Sequence, residues 1–188
     1  MRLPTLVPRS WNATAEEIAA TYPCDSFQPA GFAAYTRAID IEADVSTVFR
    51  CLCQLKVASY AYDWLSFPRT PSPSTLTPGA DQLALGQQFL VFELVDFEPD
   101  GHLTGRVTEK GRRTYGDLSV SYAVKPGADR STTRLVARLD APPAGALSWL
   151  PREALSAGDL VMTRRQLKNL KRLAEQQPDR DSYGGAAG

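Results

Sequence analysis

From residue 87 to residue 141 the chain repeats one unit, a short apolar run followed by residues that turn the backbone. QQFLVFELVDF, HLTGRVTE, GDLSVSYAVK and TTRLVARLDA are separated by EPDG, KGRR and PGADRS. Connections this short join antiparallel neighbours, because a parallel pair needs a crossover of about a dozen residues or more. An antiparallel meander is therefore the central expectation. In DLSVSYAV, Leu118, Val120, Tyr122 and Val124 alternate with Ser119, Ser121 and Ala123, as on a sheet with one covered face. FLVFELVDF is apolar at both parities, which predicts that the N-terminal arm or a second subunit covers part of its outer surface.

The flanking segments read differently. Residues 33–42 alternate bulky Tyr35, Arg37, Ile39 and Ile41 with Ala34, Thr36, Ala38 and Asp40, predicting a first strand. Val45, Val48, Phe49, Leu52 and Leu55 then recur at helical steps, with Asp44 as the cap. A short helical or turn-like piece over residues 59–66 leads to PRTPSPSTLTP, whose four prolines predict an exposed loop. Residues 159–176 carry one apolar stripe, Leu160, Thr163, Leu167, Leu170 and Ala174, with Arg164, Arg165, Lys168, Lys171 and Arg172 towards the other side. Such a helix spans about 27 Å, enough to cross a sheet. Near the N-terminus, Thr14 and Glu17 have the spacing of a capping box. The predicted division is a helical arm over 1–32, one ligand-binding domain over 33–177 and a tail over 178–188.

Composition narrows the function classes. Twenty-one basic and 21 acidic residues balance, so no long-range field gathers nucleic acid or an anionic membrane. No run of about 18 apolar residues predicts a membrane helix, and a cytoplasmic location is the default expectation. Cys24, Cys51 and Cys53 have neither the number for paired disulfides nor the spacing of a four-ligand zinc site, and read as small buried or half-buried thiols. His102 is the sole histidine and sits beside EPDG. With no second histidine, no G-x-S-x-G element and no Gly-rich strand-to-helix loop, neither a metal site, a serine hydrolase nor a nucleotide cofactor is expected.

The order of strand, two helical pieces, Pro-rich loop, meander and long final helix carries a resemblance. So do TRAIDIEADVSTVF, YAYDWL, TTRLVAR and GDLVMTRRQLKNLKRLAE. Over about residues 34–176 the chain resembles the START lipid-transfer, birch-pollen-allergen and polyketide cyclase superfamily, its bacterial members in particular. The resemblance implies an α+β helix-grip fold, a curved antiparallel sheet wrapped around the C-terminal helix. Between the two it implies an elongated cavity for lipids, steroids, polyketides or other apolar molecules. Where such sequences tend towards G-x-G before Y-x-Y-D-W this chain has LKVAS, and residue 169 is Asn where many have Gly.

YAYDWLSF, residues 60–67, admits two readings. Tyr60, Trp64 and Phe67 are core aromatics, each burial contributing about 2 to 3 kcal/mol; or Tyr62 and Trp64 line the cavity while Asp63 holds neighbouring backbone. The expected lining is Tyr62, Trp64, Phe92, Tyr122 and Met162, with Arg106 as polar anchor and Arg134 and Arg138 on the outer face. Binding, transport or sequestration of a small apolar ligand is the leading expectation. The alternative is a polyketide cyclase or dehydratase-like enzyme in which Asp63 or a tyrosine moves a proton. A third reading is a homodimer formed through residues 89–97.

Overall fold

The computed structural model describes residues 8–28, 31–61, 72–129, 131–142 and 152–177, of which 152–160 by backbone alone. Its centre is the expected meander. Strands β2 (Ala33–Ile41), β3 (Gln88–Phe89), β4 (Phe92–Glu98), β5 (His102–Val107), β6 (Ser119–Pro126) and β7 (Thr133–Ala141) pair antiparallel, and β1 (Ser10–Trp11) adds in parallel to β2. The order across the sheet is β1-β2-β7-β6-β5-β4-β3. Nine residues of β2 pair with nine of β7, from Ala33 opposite Ala141 to Ile41 opposite Thr133.

Two helices cover the inner face. Helix α2 (Val45–Cys53) starts at Asp44, whose carboxylate accepts the Thr47 N–H at 2.9 Å. Its broad buried side includes Val48, Phe49, Leu52 and both cysteines. Helix α4 (Arg152–Glu175) sets Leu167, Leu170, Leu173 and Ala174 against Ile39, Ile41, Val120, Val124 and Leu135 of the sheet, in one apolar core. It begins seven residues before the expected start at 159. Arg152, Glu153, Ala154 and Leu155 are good helix formers, and Gly158 costs only about 1 kcal/mol against alanine.

The outer face is also covered, which explains why β2 and β7 are buried at both parities. Residues 13–28 cross it. Thr14 caps helix α1 (Ala15–Ala19): its hydroxyl accepts the Glu17 N–H, and the Glu17 carboxylate accepts the Thr14 N–H. A 3-10 turn, Pro23–Phe27, follows. Tyr22 and Cys24 join Ala38, Ala123 and Val136 in a second, smaller core. Arg134 and Arg138 stand on this face, as parity predicts, but beneath the arm rather than in solvent. Arg134 binds both oxygens of Glu17 (2.8 and 2.9 Å) and Asp40 (3.0 Å), and Arg138 donates to Ile18 O and Thr36 Oγ1, both at 3.1 Å.

The outer edge of β2 is tied off by side chains. Asn12 Nδ2 donates to Ala38 O (3.1 Å), Lys171 Nζ donates to Asp40 O (2.7 Å), and the Glu175 carboxylate accepts the Glu42 N–H (2.9 Å).

Two sequence expectations are corrected. FLVFELVDF is not one doubly apolar strand. Its chain turns at Leu90 (φ 53°) and Val91 between β3 and β4, and a bulge at Val95 shifts the phase of β4, since Leu94 pairs with Gly105 but Asp96 with Thr104. Phe92, Leu94 and Phe97 therefore all contribute to the same core. The run needs no cover on a second face. KGRR is not a tight turn but part of helix α3 (Glu109–Tyr115), which Thr108 caps by accepting the Gly111 N–H.

Candidate ligand site between the sheet and the final helix

One cross-strand row on the inner face combines bulk and polarity. Arg37 on β2 stands opposite Ala137 on β7, which stands opposite Tyr122 on β6, opposite Leu103 on β5. Tyr122 is 4% exposed, and its hydroxyl donates to Gln166 Oε1 of α4 at 2.6 Å. Gln166, equally buried, donates from Nε2 to Ser59 O at 2.8 Å. One turn along, Asn169 Nδ2 donates to Tyr60 O at 2.7 Å. A polar path thus runs from mid-sheet through the helix to residues 59 and 60.

Those two residues lie just before the rest of the aromatic octet. Tyr60 has φ 55°, its N–H donates to Ser72 Oγ (3.2 Å) and its hydroxyl to Pro73 O (3.1 Å), while its ring is buried in the main core. Left-handed backbone in a tyrosine is uncommon and persists where surroundings over-determine it. Here α4 and Ser72–Pro73 of the Pro-rich loop together do so. Asn169, noted as a departure from the glycine of similar sequences, makes one of these bonds.

Of the predicted lining, Tyr122 and Phe92 are buried on the inner side and Met162 is half-buried on α4. Tyr62, Asp63, Trp64 and Phe67 lie outside the described residues. Arg106 does not join the inner wall: it shares the outer parity of Thr104, pairs with Asp117 at 3.3 Å, and its side chain is 39% exposed. The arginine on the inner face is Arg37, 1% exposed, donating to Arg9 O (2.6 Å), Thr36 O (3.1 Å) and Pro8 O (3.4 Å). Strand parity already grouped it with Tyr35, Ile39 and Ile41. Gln166 was hidden by its polarity, although it stands four residues before Leu170 on the buried stripe. His102 faces outwards and meets Asp96 at 2.9 Å.

Chemically, a phenol, a carboxamide and a guanidinium at an apolar wall are groups that can orient an oxygen-bearing ligand. The Cys51 and Cys53 thiols, buried in α2, are pushed up to about 12 by desolvation and stay protonated. A separate groove of about 620 Å³, open to solvent, runs between Trp11, Ile39 and the Lys168–Lys171 side of α4, and holds none of the predicted lining residues.

No protein-family model matches the sequence, and no curated protein matches it. Solved structures do. The Zhui aromatase/cyclase from a Streptomyces species superposes with a TM-score of 0.50 at 17% identity, over 77% of this chain and 94% of that one. A protein from Nitrosospira multiformis superposes with a TM-score of 0.50 at 15% identity, over 73% and 93% respectively. Sheet order, the packing of α4 and these superpositions agree on the fold: the chain has an α+β helix-grip architecture, similar to that of the Zhui aromatase/cyclase.

Proposed function

We propose that the chain binds a small, mainly apolar molecule between the inner face of the sheet and α4, to carry or sequester it. Phe92, Tyr122 and Met162 form the described part of the lining; Tyr62 and Trp64, assigned to it from the sequence, lie outside the described residues. The observation that carries this reading is the Tyr122–Gln166 hydrogen bond, two polar side chains, both 4% exposed, inside an otherwise apolar layer. An apolar pair there would avoid the desolvation of a phenol and an amide; a polar pair orients one oxygen of a guest. The ligand-binding domain is residues 33–177, with the arm behind the sheet rather than in the site. No helix among the described residues is long and apolar enough to cross a membrane, and we place the protein in the cytoplasm.

The test is a thermal-shift screen with fatty acids, sterols and aromatic polyketides, followed by titration of the best compound. Tyr122→Phe is expected to weaken it roughly fivefold, the worth of about one hydrogen bond. Met162→Trp, which fills the space, is expected to abolish binding while the fold persists. A panel that leaves the melting temperature unchanged throughout, or a ligand indifferent to both substitutions, would refute the site.

A further inference from the structure

On the opposite face of the sheet, under the arm, three metal-ligating side chains converge. Cys24 and Asp25 come from the Pro23–Phe27 turn and Asp140 from β7; the Cys24 Sγ and one oxygen of each carboxylate all lie within 4.8 Å of one another. Asp140 lies more than a hundred residues from the adjacent Cys24 and Asp25, so no spacing marks the three in a linear reading. Cys24 is fully buried and Asp140 is 4% exposed, yet Asp140 Oδ2 is buried without a hydrogen-bond donor. An orphaned carboxylate oxygen costs the full desolvation of a charged acceptor, so its position calls for a cationic guest.

The surroundings hold the three groups in place. The Cys24 N–H donates to Ser121 Oγ (3.0 Å) and Ser119 Oγ donates to Cys24 O (3.1 Å), fixing the cysteine backbone on β6. The Tyr22 N–H occupies Asp25 Oδ2 (2.9 Å), and Arg138 Nε lies 3.4 Å from the Oδ1 atoms of both aspartates. Arg138 supplies one positive charge against two carboxylates and, on metal binding, a thiolate. That leaves a deficit of two charges, which a divalent ion cancels without displacing the guanidinium from Oδ1 of Asp140.

We propose that Cys24, Asp25 and Asp140 form a site for a divalent cation of the zinc type, which clamps the N-terminal arm on to the sheet. One sulfur and two oxygens suit a borderline ion in tetrahedral geometry. Asp25, its side chain 27% exposed, opens the fourth position to water and gives the ion its way in. Binding releases the Cys24 thiol proton, with any proton held by Asp140, to solvent.

The test uses chelator-stripped full-length protein titrated with Co²⁺ and then Zn²⁺. One equivalent of Co²⁺ is expected to produce a thiolate-to-cobalt charge-transfer band that Zn²⁺ bleaches, and Zn²⁺ alone to raise the melting temperature. Asp140→Asn is expected to weaken Zn²⁺ by at least about tenfold. The band should persist in the Cys51→Ala, Cys53→Ala double variant, where Cys24 is the sole thiol, and vanish in Cys24→Ser. Absence of the band from wild type or from the double variant overturns the site. So does a band that survives Cys24→Ser, or a Zn²⁺ affinity unchanged by Asp140→Asn.

Discussion

Gly105 shows how tightly single residues constrain the inner face. A Cβ built there meets the Phe89 ring at 2.5 Å and Phe92 Cβ at 2.7 Å, and the two phenylalanine rings, 5.7 Å apart, are themselves paired across the β3–β4 hairpin. Neither ring can retreat without opening the core. Gly105→Ala is therefore expected to lose about 1 to 3 kcal/mol in urea unfolding, the usual cost of overpacking; an unchanged midpoint would show that the hairpin yields freely. The sequence marks Gly105 only as a glycine within a strand pattern, and the ring above it comes from another strand. Arg37 and Arg106 make the same point. Both sit on strands, and parity settles their faces once each strand's inner set is known. On β2 the bulky set is evident; on HLTGRVTE, Leu103 and Val107 name the inner face, which places Arg106 opposite.

At the scale of elements, the capped helices and the uninterrupted strands were readable, because caps and alternation are local. Asp44 and Thr14 cap as their spacing predicts. The misreadings come where one residue changes the count: Val95 inserts a step into β4, and Thr108 converts a turn into a helix by capping it. The predicted site was half readable for a related reason. Its sheet residues follow from alternation, whereas Gln166 and Asn169 become visible only when residues 59 and 60 are brought against α4. The arm supplies a pH-dependent element. Hydrogen bonding to Arg134 holds the Glu17 carboxyl below its ordinary 4.5. A depressed folded-state value stabilises above the unfolded one and is lost as pH falls through it. Glu17→Gln should accordingly lower the unfolding midpoint at neutral pH, and that deficit should shrink as pH falls below 4.5, followed by denaturant titration across the range. A deficit independent of pH would mean that the pair acts through packing alone.

For the whole molecule, the two cores on either side of one sheet predict how the native state opens. All three cysteines are 1% exposed or less, two in the main core and Cys24 in the small core under the arm. Native protein should resist a thiol reagent at neutral pH, and labelling followed by peptide mass analysis should find Cys24 first. Releasing the arm is a local opening, whereas Cys51 and Cys53 require α2 to leave the sheet. Labelling of Cys51 ahead of Cys24 would reverse that order. Finally, amide and charged side chains already occupy carbonyls and an N–H along the outer rim of β2, where a fresh strand would otherwise dock. A foreign polypeptide arriving there finds rungs already taken, so fibril growth by templated addition has little to start from on that side of the protein.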